Sequence, residues 1–159
     1  MKLTIVAAAT ATGLAFSTGA TSQAMSKDQY KSGKAAIAAE YKAAKAACAS
    51  LPGKPSDLCK AEASGKEKVA KAELQAKYQP SEEALYEVRV ARADADYSIA
   101  KGKCDDKAGN DKDACVRQAK AAAVAAKAQA RAHMKNAKAN AKENLPEPSA
   151  GVRSGAGSR

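Results

Sequence analysis

The chain matches itself at an offset of 56 residues, and the match is carried by its four cysteines. Cys48 falls on Cys104 and Cys59 on Cys115, so two cysteine pairs with ten residues between their members keep register. Tyr41 falls on Tyr97, Gly53 on Gly109 and Asp57 on Asp113. Matches among Ala and Lys are cheap in a chain with 42 alanines in 159 residues; those among Tyr, Cys, Gly and Asp are not. The chain therefore contains a duplicated unit, with the first copy over 25–80 and the second over 81–143.

Each copy reads as helix, loop, helix. The pattern predicts helices over about 27–50, 57–78, 82–104 and 111–143. Pro52, Gly53 and Pro55 break the first pair, and Ser56 is the expected cap of the second helix. Pro80 ends that helix, and Ser81 with Glu82 and Glu83 opens the third. Asn110 or Asp111 is the expected cap of the fourth. Alanine has the highest helix propensity, so these segments are helical although only 13 Leu, Ile, Val or Phe occur in 25–159. That shortage rules out a large domain with a deep apolar pocket. The stretch 144–159, rich in Pro, Gly and Ser, reads as a disordered tail.

Apolar residues form stripes at helical spacing. Tyr30, Ile37, Tyr41, Ala44, Cys48 and Leu51 line the first helix; Tyr86, Val90, Ala93, Tyr97, Ala100 and Cys104 line the third. Val69, Leu74 and Tyr78 return in the second, and Val116 and Val124 in the fourth. The fold class is thus all-α, two tandem helical hairpins, packed as a four-helix bundle or laid end to end as a rod. Such seams bury little area at about 25 cal/mol per Å², which gives covalent ties a purpose. Cys48–Cys59 and Cys104–Cys115 are the expected local disulfides, each closing its turn and contributing about 3 kcal/mol in the chain-entropy model.

Residues 1–24 read as a secretory signal: Lys2, an uncharged stretch from Leu3 to Phe16, then Ser22-Gln23-Ala24 as a small-x-small cleavage site, with Thr18-Gly19-Ala20 as a second site. An even cysteine count in a short exported chain agrees with disulfides. The expected compartment is periplasmic or extracellular. Nothing after the signal is long and apolar enough to span a membrane.

The formal charge is +10, and it is uneven. Residues 25–80 carry 11 basic and 6 acidic groups, 81–115 carry 6 and 9, and 116–159 carry 9 and 2. The arms of the second hairpin are opposite in sign, so they attract. Arg117, Lys120, Lys127, Arg131, Lys135, Lys138 and Lys142 are the candidate anion-binding residues. Lys120, Lys127 and Lys138 are expected on different faces, with the charge wrapping around the helix. An envelope protein or an anionic envelope polymer, lipopolysaccharide or peptidoglycan, is the candidate partner. Nucleic acid is less favoured: export removes the chain from the nucleoid, and no aromatic residue interleaves with the basic ones.

Little else in the chain carries chemistry. No C-x-x-C, G-x-S-x-G, Walker-type or H-E-x-x-H motif occurs, and His133 is the only histidine. Asp105, Asp106, Asp111 and Asp113 lack the order of ligands an EF-hand needs and suit helix ends instead. No cofactor or metal is expected, and the chain reads as non-enzymatic.

At the repeat, the chain resembles small exported proteobacterial proteins with a tandem pattern of Tyr-x-x-Ala-Lys-x-x-Cys, ten residues, then Cys-x-x-(Glu/Gln)-Ala. Here these are Tyr41 to Cys48 with Cys59 to Ala63, and Tyr97 to Cys104 with Cys115 to Ala119. The resemblance implies export and paired hairpins and carries no known activity. In composition the chain is also similar to the Ala/Lys-rich stalk of the Tol envelope protein, and Ala119 to Lys142 to histone-tail-like nucleoid proteins. The twin-cysteine hairpins of mitochondrial coiled-coil–helix–coiled-coil proteins use nine-residue spacing and differ from this pattern. The function expected is a structural or interaction protein of the bacterial envelope, with binding of anionic polymers by the last helix as the alternative.

Overall fold

A computed structural model describes residues 24–144. Within them lie four helices: α1 Lys27–Cys48, α2 Gly53–Tyr78, α3 Glu82–Cys104 and α4 Gly109–Glu143. The expected signal and tail lie outside the described residues, apart from Ala24 and Asn144.

Two of the four helix starts rest on serine caps. Ser26 Oγ accepts from the Gln29 backbone N–H at 3.1 Å, and Gln29 Oε1 accepts from the Ser26 N–H at 2.8 Å, a reciprocal capping box. Ser81 Oγ accepts from the Ala84 N–H at 3.0 Å, with Glu82 and Glu83 in the first turn. The other two starts depart from expectation. α2 begins at Gly53 behind an extended Pro52, not at Ser56, and α4 begins at Gly109 behind Ala108, not at Asn110 or Asp111. The shared cause is a glycine with positive φ, 57° at Gly53 and 50° at Gly109, which turns the chain into the helix early. Pro55 then sits in the first turn of α2, where its missing N–H costs nothing. Ser56 is buried inside α2 and donates its hydroxyl across the turn to the Cys48 carbonyl at 2.8 Å.

Both disulfides form locally, Cys48–Cys59 with Cα atoms 5.5 Å apart and Cys104–Cys115 with 5.7 Å. Cys48 and Cys104 are the most deeply buried side chains. Both bridges span the same sequence separation of 11 residues.

Each helix packs only against its neighbours in the chain: α1 on α2, α2 on α3, α3 on α4. The four-helix set is therefore open, with α1 and α4 at its edges. The hairpins are neither closed into a bundle nor laid end to end; they lie side by side through α2 and α3. Both disulfide-bearing turns point the same way, since Lys54 Nζ donates to the Asp105 carbonyl between them.

The seams are made of small residues. Buried positions are Ala63, Gly65, Val88, Ala93, Ala95, Ala130, Cys48 and Cys104, besides Ser56. At the open end of the first hairpin, the Tyr30 and Tyr78 rings stack at 4.4 Å, and the Tyr30 hydroxyl donates to Gln75 Oε1 at 2.6 Å. The stripes on α1 and α3 are buried or half-buried as expected, except Leu51, which is 41% exposed because α1 stops at Cys48. Val69 lies in the groove between α2 and α3, with Ala95 and Ile99. Val124 is 60% exposed; the α4 seam is alanine, with Ala130 at 2%.

Candidate anion-binding ridge on the last helix

α4 runs unbroken for 35 residues. At about 100° per residue, the candidate basic residues fall within roughly 80° of arc. Arg117, Lys120, Lys127, Arg131, Lys135, Lys138 and Lys142 thus form one stripe. This corrects the expectation that the charge wraps around. The intervals are three, seven, four, four, three and four, which is a heptad-like series that stays on one side of a straight helix. Val124, Lys127, Ala128, Arg131, Ala132 and Lys135 line one shallow surface patch on this side.

The stripe lies to one side of the seam with α3, and α3 answers it with acid. Lys127 pairs with Asp94, and Lys138 with Glu83. Glu87, one helical turn from Glu83 and seven residues from Asp94, shares their face of α3. Nearer the turn, Lys112 Nζ lies 2.8 Å from Asp105 Oδ1. Two of the six ion pairs among the described residues therefore join α3 to α4, and a third joins α4 to the turn after α3, which is the attraction between arms that their opposite charges imply. The hydrogen bond from Lys138 holds the Glu83 carboxyl below its ordinary range. The bond from Lys112 does the same to Asp105 and raises the Lys112 ammonium in turn.

The remaining basic residues of the stripe behave differently. Arg117, Lys120, Arg131, Lys135 and Lys142 are exposed and make no ion pair among the described residues. Register explains Lys120: one heptad on from the Lys127–Asp94 pair, the antiparallel arms set it opposite Lys101. α4 carries no aromatic residue. His133 is exposed on the same helix, off the ridge.

Sequence reasoning missed Glu83 and Asp94 as partners of the ridge. Their spacing of eleven residues, with Glu87 between, is a stripe signal in its own right. Of the four loop aspartates, Asp111 stands in the first turn of α4, where the helix dipole favours it, and Asp105 pairs with Lys112 while its carbonyl accepts from Lys54.

Two disulfides and no free cysteine among the described residues mark a non-reducing, extracytoplasmic location. No described helix is long and apolar enough to cross a membrane. Comparison with family models, with curated proteins and with solved structures finds no match to this chain.

Proposed function

We propose that the chain is a non-enzymatic structural or interaction protein of the bacterial envelope, exported to the periplasm or beyond by a signal in residues 1–24. The observation that carries this reading is the pair of local disulfides, one at each hairpin turn. Seams of alanine bury little apolar area, so the fold draws on cross-links that persist only in an oxidising compartment. An open row of helices also leaves both broad faces free for contact. The sequence supports the non-enzymatic part, because it offers no catalytic constellation.

The test is intact mass of the chain produced with its own leader and recovered from a periplasmic extract, with and without alkylation after denaturation. Cleavage after Ala24 or Ala20 and a mass lower by four hydrogens, with no alkylation, is the expected result. A full-length chain with four alkylated thiols in the cytoplasm overturns the reading.

A second reading is favoured by the ridge on α4: binding of anionic polymers. Its charges share one side of one helix, and five of the seven are exposed and unpaired among the described residues. Charge reversal along the ridge separates the two readings. It abolishes polymer binding and spares a contact made through the first hairpin.

A further inference from the structure

The ridge is not uniform, and its exceptions define a footprint. Two of its seven cations are already matched by carboxylates of α3, and the five others make no ion pair among the described residues. Resting on the polyanion reading above, we infer that the ridge binds a single strand of a linear anionic polysaccharide laid along α4. Arg117, Lys120, Arg131, Lys135 and Lys142 hold it, while Asp94 and Glu83 withhold Lys127 and Lys138.

Length and straightness come first. Arg117 and Lys142 are 25 positions apart on one helix, about 37 Å at 1.5 Å per residue. A flexible or bent ligand would leave one end of such a line unused; an extended polymer engages all of it.

Width comes next. Packed helix axes lie about 8–10 Å apart, and the α3 side of the ridge is bordered by Glu83, Glu87 and Asp94. A DNA duplex, whose major groove alone is about 12 Å wide, laid along α4 would bring phosphates over these carboxylates. A polysaccharide strand is narrow enough to stay on the basic side. A single-stranded nucleic acid would also fit in width, but it draws part of its affinity from bases stacked on aromatic rings, and α4 has no Phe, Tyr or Trp. A membrane surface is disfavoured for a different reason. Helices that lie in lipid carry a broad apolar face with Trp, Phe or Leu, whereas the apolar members of the ridge side are Val124 and alanines. Polysaccharide chains with sulfate, phosphate or carboxylate groups ask only for correctly spaced cations.

The test uses the oxidised mature chain and three probes: a labelled heparin fragment as the linear anionic polysaccharide, a 20-base-pair DNA duplex, and phosphatidylglycerol vesicles. Affinity is followed against salt. With roughly 0.7 counterions released per contact, K120Q/R131Q/K135Q should shallow the log–log salt slope for heparin by about 2 and weaken binding tenfold or more at low salt. K127Q/K138Q should stay within about twofold of the parent. E83Q/D94N frees both lysines and should tighten binding severalfold. The last two variants remove the same ion pairs, so a general loss of folding would move them together; the inference requires them to diverge. Equal losses from K127Q/K138Q and from the triple variant overturn the five-cation footprint while leaving the polyanion reading in place. Tighter binding to duplex or vesicles than to heparin overturns the polysaccharide assignment. No binding to any of the three removes the polyanion reading together with this inference.

Discussion

Gly65 on α2 and Ala95 on α3 approach so closely that a Cβ placed on the glycine would stand 2.9 Å from the Ala95 Cβ and 3.4 Å from its Cα. Nearer the disulfide end the arrangement repeats in mirror fashion, with Gly102 of α3 against Leu58 of α2. Glu73 and Arg92 bridge the same seam toward its other end, 2.5 Å apart. This contact packs together two hairpins that no disulfide links. It uses backbone proximity because the sequence has few large side chains to spend on it.

Gly65→Val should therefore lower stability by about 2 kcal/mol, since nothing opposite it can yield except the backbone of α3. Gly33 provides the contrast. A Cβ there meets only the tip of Leu74, which can rotate, so Gly33→Ala should raise stability by about 0.5–1 kcal/mol through helix propensity. Urea denaturation of both variants measures the pair, and the signs should be opposite.

Removing one disulfide as Cys48→Ala/Cys59→Ala should cost about 3 kcal/mol, and Cys104→Ala/Cys115→Ala a similar amount, because both close loops of equal length. Thermal melts of the two variants should resemble each other more than either resembles the parent. The variant lacking both bridges should be largely unfolded at 37 °C by circular dichroism.

The two turns, though duplicated, are latched by different chemistry. Ser56 bonds the Cys48 carbonyl in a buried position; its counterpart at the offset of 56 is Lys112, a half-buried lysine paired with Asp105. Ser56→Ala should cost about 1 kcal/mol regardless of salt. Lys112→Gln should shift the melting temperature slightly, and only at low ionic strength.

Acid should weaken the α3–α4 hairpin selectively. The folded Glu83 and Asp105 carboxyls titrate below their ordinary range. Their contribution to stability is accordingly present above about pH 4–4.5, where these groups ionise in an unfolded chain, and is lost as pH falls through the depressed folded values. The raised Lys112 value works in the opposite sense: its contribution holds below the ordinary lysine range and disappears as pH climbs through the folded value. Melting temperature against pH should flatten on the acid side in Glu83→Gln/Asp105→Asn, and in the parent at high salt. An unchanged acid limb would show that these pairs do not contribute.

The four helices, the local disulfides and two of the apolar stripes were legible in sequence because each rests on spacing along one segment. The side-by-side packing was not. It depends on Gly65, Ala95 and Gly102, residues whose role is to be small, and small residues leave no hydrophobic signal in a chain so rich in alanine. The second stripe of α3, through Val88, Ala95 and Ile99, was hidden for the same reason. The turns misled because glycine φ decided where α2 and α4 begin, overriding the capping preference of Ser56, Asn110 and Asp111. The single-sided ridge on α4 was derivable from spacing alone; its partners on α3 required the register of the hairpin.

The claim that the two hairpins form one side-by-side layer is tested most directly by nuclear Overhauser effects in the isotope-labelled, oxidised chain. Cross-peaks between the Ala95 methyl and the Gly65 α protons, and between the Leu58 methyls and the Gly102 α protons, are the predicted result. A spectrum with contacts inside each hairpin and none between α2 and α3 would contradict it and restore the end-to-end rod.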